Sequence, residues 1–279
     1  MQTMHDKTLI QQAEAIEREA LAALHSVADK PLRAKLGISL KSIGDSLVST
    51  AEALPDSAIT INRAVGMGRQ QSTLRETLAA ITEHYRQACV RRYFLQPDPC
   101  TQDEDLAPHF YSAGFVRARA WQKFIRGRNE PIPDVRTDLT IVKAGQAQGE
   151  AFADLVCGAF DLGGNARPWL ARLAAARGWH IYMAFDGNTP ASAGAVFIHG
   201  KDAYTDFGAT APAYRQRGLQ LANLANRVRA AIDFGCQRIH SCTGIAIEGD
   251  PQHSYSNIKR CGFVETHVRQ TWAPSEQAR

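Results

Sequence analysis

The sequence lacks several features that would assign the chain to a specialised class of protein. Its 279 residues contain no run of 18 apolar residues, so neither a transmembrane helix nor a membrane partner is expected. No apolar signal-peptide core follows the start, so we expect a cytoplasmic protein. The net charge of +4 is spread along the chain rather than gathered in blocks, which argues against nucleic acid as a partner. With 44% apolar and 22% charged residues, the composition is that of a soluble globular protein.

The six cysteines lack the spacing that is typical of metal sites. None stands in a CxxC pair, and three lie within apolar helix or strand patterns. We interpret them as free, mostly buried thiols of a protein in a reducing compartment. A metal site built on His240 and Cys242 has no second pair in the sequence to complete it, so no metal is expected.

Two stretches of mixed helix and strand patterns flank a segment rich in proline and charge. This segment, residues 127–138, contains two prolines and five charged residues, which indicates a linker. We therefore expect an α/β (α+β) fold with two mixed-sheet domains and flanking helices, at residues 1–128 and 137–279. Apolar periodicity predicts helices at 7–27, 72–88, 103–114, 148–160, 169–177, 221–232 and 254–260. It predicts strands at 39–43, 46–51, 58–66, 91–96, 115–125, 139–143, 180–186, 192–199, 204–210, 238–243 and 264–272.

One apolar pattern occurs in both halves, which indicates an internal repeat. At a single offset of 147 residues, four apolar helix positions and a following cysteine coincide: Leu74, Leu78, Ile81, Tyr85 and Cys89 with Leu221, Ala225, Val228, Ile232 and Cys236. Ala113-Gly114-Phe115 matches Cys261-Gly262-Phe263 one residue further out. We interpret the chain as two copies of one fold, and the alternative is two unrelated α/β segments.

A basic loop distinguishes the second copy from the first. Within residues 206–234, a strand runs through Pro212 into the loop Arg215–Gly218, and a helix follows. Free N–H groups and the dipole at a helix start bind anions, and glycine lets the backbone approach them closely. We interpret the loop as a phosphate site, and the alternative is an ordinary strand–helix turn with solvated arginines. The first copy has a shorter connection there, without the arginine loop.

The second half resembles the GNAT superfamily of N-acetyltransferases. The resemblance rests on the turn Thr210–Pro212, on the loop Arg215–Gln220 and on Gly262-Phe263 after the last helix. The family's loop reads Arg/Gln-x-x-Gly-x-Gly/Ala, and Gln220 departs from it at the last position. The whole chain resembles the tandem GNAT arrangement with a degenerate N-terminal copy.

The resemblance implies acetyl transfer from acetyl-CoA, as cosubstrate, to a primary amine of a small molecule or peptide, by direct attack in a ternary complex. Backbone groups at the end of the strand would bind the pantetheine arm, and the loop amides would bind the pyrophosphate. Two side chains on the closing helix would add contacts, although Ser254 serves equally well as a helix cap. The predicted cofactor-binding residues are Ala209, Thr210, Arg215, Gln216, Arg217, Gly218, Leu219, Gln220, Leu221, Ser254 and Asn257.

Acetyl transfer to an amine needs a group that takes the amine proton, and the leaving thiolate accepts a proton. Many relatives place a tyrosine at the position of Ile258, so Tyr255 is the substitute candidate for the acid; the alternative is a packed aromatic. Glu248 and Asp206 are candidates for the base; the alternative is a solvated surface carboxylate. Because the usual tyrosine is missing and Gln220 is unusual, a second hypothesis is an acyl-CoA-binding or regulatory module without catalysis. We expect a monomer or homodimer.

Overall fold

The computed structural model of the chain describes residues 4–101 and 103–275. Its helices are α1 Met4–Ser26, α2 Lys30–Leu36, α3 Leu74–Gln87, α4 Asp103–Ser112, α5 Gly149–Phe160, α6 Arg167–Leu170, α7 Leu219–Asp233 and α8 His253–Arg260. Its strands are β1 Ile38–Ile43, β2 Ser46–Ala51, β3 Arg63–Met67, β4 Phe94–Pro97, β5 Phe115–Gly127, β6 Ile141–Ala144, β7 Trp179–Asp186, β8 Thr189–His199, β9 Asp202–Thr210, β10 Arg238–Gly244 and β11 Val264–Pro274. Among these helices, none has the length and apolar character needed to cross a membrane.

The chain forms two compact units. The first holds the described residues up to Gln122 together with those from Thr266 onward, and the second holds Lys123–Glu265. The chain therefore enters the second unit within β5 and leaves it within β11. The predicted linker follows the start of the second unit and, after its first residue, contains neither helix nor strand. The domain division at 1–128 and 137–279 follows the two copies in the sequence and stays a prediction.

The first unit is a mixed sheet with the strand order β1-β2-β3-β4-β11-β5. β1 and β2 form the predicted hairpin around Gly44 and Asp45, β2 and β3 are antiparallel, and β3 and β4 are parallel. β11 pairs with β4 in antiparallel orientation, at Trp272 and Leu95. Trp272 is fully buried in the core that α3 forms with the sheet, and its ring stacks on Phe110 of α4 at 4.8 Å.

The second unit is a mixed sheet with the order β5-β10-β9-β8-β7-β6. Strands β6 to β9 pair as antiparallel neighbours, and β9 and β10 are parallel. Helices α7 and α8 bury Leu224, Val228 and Ile258 against the sheet. Helix α5 places Phe152 and Phe160 beside Phe207 of β9, with ring centroids 6.3 and 6.0 Å apart.

The same order of elements occurs twice along the chain. The series β3-α3-β4-α4-β5 corresponds to β9-α7-β10-α8-β11, and the first two strands of each series are parallel neighbours. Both series contain the helices whose apolar positions coincide in the sequence. The predicted α/β class with mixed sheets and flanking helices is confirmed.

Three predictions of secondary structure were wrong or incomplete. The strand predicted at 58–66 begins at Arg63, because the preceding residues form hydrogen-bonded turns and the Asn62 amide bonds to the backbone of Ala51. The helix predicted at 169–177 is the short α6 followed by 3-10 turns. Helix α2 was missed, because seven residues are too few to show a helical period. It starts at the Asp29 cap, which accepts a hydrogen bond from the Leu32 N–H at 3.0 Å.

A buried ionic network ties β11 to α1 in the first unit. Arg269 of β11, which is fully buried, bonds to Glu17 at 2.6 and 3.0 Å and to Glu14 at 3.0 Å. Arg63 of β3 reaches Glu17 at 2.5 Å, and His267 lies 3.0 Å from Glu14. The buried carboxylates Glu14 and Glu17 of α1 therefore meet basic side chains of β3 and β11.

Candidate functional site

The two parallel strands of the second unit separate towards their carboxyl ends. In the described residues, β9 and β10 pair only from Asp202 with Arg238 to Tyr204 with His240. Both strands continue further, β9 for six residues and β10 for four, without registered pairs between them. At the start of this gap the Thr205 hydroxyl donates to the His240 carbonyl at 3.3 Å. The gap offers polar backbone edges to a ligand that lies between the strands.

A β-bulge lies on β9 beside this gap. Ala193 of β8 faces Ala209, and Ala195 faces Asp206, so Phe207 and Gly208 together oppose one residue of β8. Phe207 has a φ of 51°, which is rare for a residue with a side chain. A bulge bends its strand and raises its twist. The bend is consistent with the departure of β9 from β10.

The loop after β9 leads directly into the start of α7. A 3-10 turn, Pro212–Tyr214, follows the strand, and α7 begins after Gly218. Gly218 has a φ of 76°, which glycine adopts without a steric penalty. Among the described side chains none caps this helix start by a hydrogen bond. The structure thus shows the strand, loop and helix start that the sequence predicts.

The two arginines of the loop have different surroundings. Arg217 forms an ion pair with Asp138, and its guanidinium lies 5.1 Å from the centre of the Tyr214 ring. Arg215 and Gln216 are exposed to solvent. Arg215 is therefore the cation of the loop that a ligand meets without displacing an ion pair.

Three of the predicted ligand contacts lie together between α7 and α8. The Gln220 amide donates to the Ser254 hydroxyl at 3.0 Å, and the Asn257 amide donates to Gln220 Oε1 at 2.8 Å. Gln220, the residue that departs from the family pattern, thus spans the space between the two helices. Its side chain holds both residues of α8 in fixed orientations.

The remaining predicted contacts fall into buried and accessible groups. The side chains of Leu219 and Leu221 are buried in the core, so only their backbone amides are available to a ligand. Ala209 is also buried, at the end of β9. Thr210 Oγ1 is buried and has no hydrogen-bond partner in the part of the chain that the structure describes. A buried hydroxyl without a partner is costly, and a polar ligand group at the end of β9 would satisfy it.

The structure places the three predicted catalytic residues in different surroundings. Asp206 is half-buried at the bulge, where its carboxylate accepts a hydrogen bond from the Phe207 N–H at 2.7 Å. Glu248 is exposed in the segment between β10 and α8. Tyr255 donates its hydroxyl to Glu265, and its ring packs against Phe124 of β5 at 5.4 Å. Of the three, Asp206 alone lies at the bulge beside the gap.

The orientation of Tyr255 leads to a prediction for its role as the acid. β5 lies on the side of β10 away from β9, and the hydrogen bond to Glu265 raises the pKa of Tyr255. We therefore expect Tyr255→Phe to keep kcat within about threefold, whereas loss of a true general acid costs about 100-fold or more. Steady-state rates of thiol release measure kcat, and a loss of kcat of about 100-fold in Tyr255→Phe would show that Tyr255 acts as the general acid.

Sequence reasoning missed Arg227, a buried residue of α7 that lies beneath the bulge. It is 4% exposed, and it donates to the carbonyls of Asp206 at 3.0 Å and Ala195 at 3.1 Å. Burial lowers the pKa of Arg227 to about 10. The signal was an arginine at helical spacing from Leu224 and Ala231, within an otherwise apolar face.

In the first unit, the strand ends and loop that correspond to the gap and the basic loop are hydrogen-bonded to residues of the same unit. β3 and β4 remain paired up to Met67 and Pro97, and the Asp98 N–H donates to the Met67 carbonyl at 2.8 Å. The amides of Arg69 and Gln70, which precede α3, donate to the Asp45 carboxylate at 2.7 and 3.3 Å. A carboxylate of the chain thus occupies the amides of this loop.

No protein-family model and no curated protein matches the sequence. The fold, in contrast, is similar to solved structures. A GCN5-related N-acetyltransferase from Kribbella flavida matches with a TM-score of 0.60 at 13% identity, over 88% of this chain and 94% of its own. One from Sphaerobacter thermophilus matches with a TM-score of 0.61 at 15% identity, over 95% and 92%.

A third similar structure is a tandem GNAT protein from the clavulanic acid biosynthesis pathway, solved without AcCoA. It matches with a TM-score of 0.54 at 16% identity, over 82% of this chain and 77% of its own. The chain therefore has the fold of the GCN5-related N-acetyltransferases, and the fold that the sequence resemblance implied is confirmed.

Proposed function

We propose that the protein is an N-acetyltransferase that moves an acetyl group from acetyl-CoA to a primary amine by direct attack in a ternary complex. The observation that carries this proposal is the gap between β9 and β10, which opens beside the uncapped start of α7 in the described chain. A gap between strands fits an extended arm with amide groups, and the helix start fits a phosphate. The solved structures of this fold that are named N-acetyltransferases support it.

The donor site in this proposal consists mainly of backbone groups. The backbone amides from Arg217 to Leu221 lie in the loop and the first turn of α7, where the helix dipole favours negative charge. Arg215 adds a solvent-exposed cation. The unpartnered Thr210 hydroxyl adds a hydrogen bond to the arm, and Ser254 and Asn257 border it from α8.

Acetyl-CoA supplies an activated thioester, and the residues of the bulge supply the remaining chemistry. We propose Asp206 as the base that takes the proton of the attacking amine, directly or through water, because its carboxylate is fixed at the bulge. Backbone N–H groups of the bent strand stabilise the negative charge that develops on the carbonyl oxygen. The thiolate of CoA has a pKa of about 8.5, close to that of a cysteine, so it leaves without a strong acid.

A thiol-release assay with acetyl-CoA and a panel of primary amines tests this function. The panel covers small amines, amino sugars and peptides with free amino termini or lysines. We expect release of free thiol that depends on the amine and saturates with acetyl-CoA. Mass spectrometry of the acceptor then shows a gain of one acetyl group.

A second candidate function is acyl-CoA binding or regulation without catalysis. The observation that favours it is the Tyr255 hydroxyl, which is directed at Glu265 rather than at the gap. Saturable binding of acetyl-CoA without turnover on any amine would support this function over the first. The cytoplasmic location, the monomeric or homodimeric state, and the absence of nucleic-acid, membrane and metal partners stay predictions from the sequence.

A further inference from the structure

Arg227 is a buried cation whose described hydrogen bonds all go to main-chain carbonyls. Besides Asp206 and Ala195 it contacts the carbonyl of Asn223, one turn earlier in α7, at 3.4 Å. In the described chain it has no carboxylate within ion-pair distance. Burying a charge without a paired carboxylate is unfavourable, so the three carbonyls must replace the water that the guanidinium loses.

The strands around Arg227 leave room for its guanidinium at two glycines. A Cβ atom at Gly194, opposite the bulge, would lie 2.7 Å from Arg227 Nε and 2.4 Å from Asn223 Oδ1. A Cβ atom at Gly208, within the bulge, would lie 3.3 Å from Arg227 Nη2. The residues that face each other at the bulge thus have no side chain where the guanidinium lies.

One peptide group of the bulge connects the cation to a carboxylate. The carbonyl of the peptide between Asp206 and Phe207 accepts from Arg227, and the N–H of the same peptide donates to Asp206 Oδ1. A donor at the carbonyl polarises the peptide and strengthens its N–H as a donor. The guanidinium therefore reinforces the hydrogen bond that orients the Asp206 side chain, immediately before Phe207 with its unusual φ.

We propose that Arg227 is a positioning residue of the acetyl-transfer site, which holds the bulge and thereby aims the Asp206 carboxylate and the following N–H groups of β9. The inference rests on the proposed function for its kinetic consequences. It concerns the chemical step rather than the binding of acetyl-CoA, because the loop and the helix start that bind the phosphates lie beyond the end of β9.

The experiment compares Arg227→Met with a matched variant, Arg126→Met. Arg126 is also fully buried, and its guanidinium also donates to main-chain carbonyls, those of Gly127, Glu130 and Cys261. It lies at the end of β5, away from the bulge, so its loss reports the general cost of removing a buried arginine. Arg227→Lys keeps the charge but loses the planar guanidinium, whose Nη1 donates to the carbonyls of Asp206 and Ala195 and whose Nε donates to that of Asn223.

Three readouts are measured for each variant: kcat and KM for acetyl-CoA, the Kd of CoA, and hydrogen exchange of the segment 203–211. We expect Arg227→Met to lower kcat by about 100-fold, as for a misplaced reacting group, with the Kd of CoA within about threefold. The kcat of Arg227→Lys is expected to lie between that of Arg227→Met and that of the unchanged protein. Segment 203–211 should exchange faster in Arg227→Met, while Arg126→Met keeps both kcat and the protection of this segment.

The outcomes separate this inference from the proposed function. If the unchanged protein acetylates an amine and Arg227→Met keeps its kcat, the inference is overturned and the function stands. If Arg227→Met does not fold, the comparison passes to Arg227→Lys, where an unchanged kcat overturns the inference and a loss of tenfold or more supports it. If the unchanged protein shows no turnover, the proposed function fails. Hydrogen exchange then decides alone, because unaltered protection of 203–211 in Arg227→Met would refute a role for Arg227 in holding the bulge.

Discussion

The variant Gly218→Asp is expected to lose acetyl-CoA binding while it keeps its fold. The change sets a carboxylate among the amides at the start of α7, where the proposed pyrophosphate site lies. A fixed negative charge repels the phosphates and competes for the same N–H groups, much as the Asp45 carboxylate accepts from the amides of Arg69 and Gln70 ahead of α3. We expect the affinity to fall by about 100-fold or more, which corresponds to about 2.7 kcal/mol.

Isothermal titration with acetyl-CoA measures this loss, and Gly200→Asp is the matched control. Gly200 lies in the turn between β8 and β9, has a φ of 58°, and a Cβ atom there has no neighbour within 4 Å among the described atoms. Both changes therefore add the same charge at a glycine of positive φ. If both variants bind acetyl-CoA as well as the unchanged chain, the phosphate site does not lie at this loop.

The variant Arg269→Met is expected to destabilise the first unit by about 3–5 kcal/mol, the usual cost of leaving a buried charge without its partner. Arg269 contacts both Glu14 and Glu17, whose side chains are 5% and 2% exposed. Methionine fills a similar volume, but it removes a positive charge that offsets the two buried carboxylates. Urea denaturation followed by circular dichroism measures the change in the free energy of unfolding.

Two further variants show whether the unpaired carboxylates cause the loss. The triple variant Glu14→Gln/Glu17→Gln/Arg269→Met removes the charges of both glutamates together with that of Arg269, and we expect it to recover more than half of the lost stability. Arg91→Met breaks an exposed ion pair with Asp56 and is expected to leave the unfolding midpoint unchanged. A loss in Arg269→Met no larger than that in Arg91→Met would show that the network contributes little to stability.

Local periodicity was sufficient to predict most elements of the fold. The hairpin of β1 and β2 follows from two alternating stretches around Gly44-Asp45, and its register confirms that prediction. Helices α3 and α7 follow from apolar positions at helical spacing, because one face of each packs on a sheet. These features depend on residues that are close in sequence, so the pattern of a single segment contains them.

Pairing between distant segments was not predictable from such patterns. β5 lies beside β10, and β11 pairs with β4 at Trp272 and Leu95, although the predicted domain bounds place β5 in the first copy and β11 in the second. An alternating strand can pair with any suitable edge, and its apolar pattern does not identify the partner. The basic residues of β11 give a partial indication of its partner, because a buried arginine requires carboxylates nearby. The carboxylates of α1 pair with Arg269 of β11.

The candidate site likewise combines features that the local sequence predicts with features that depend on contacts between distant segments. The basic loop and its glycine were visible, because a glycine before an amphipathic helix is a local signal. The bridge from Gln220 to Ser254 and Asn257 was not visible, since it joins two helices through side chains. Arg227 was missed because a single arginine on an apolar face does not reveal the backbone that it meets. Its partners became clear only when β8 and β9 were placed beneath α7.

Titration of the unchanged protein with acetyl-CoA tests most directly the claim that the second unit alone holds the donor. We expect saturable binding of one molecule per chain, because β9 and β10 separate in the second unit, whereas β3 and β4 stay paired in the first and Asp45 accepts from the amides of Arg69 and Gln70 ahead of α3. The absence of saturable binding would contradict the proposed function. Binding of two molecules per chain would contradict the assignment of the donor site to the second unit alone.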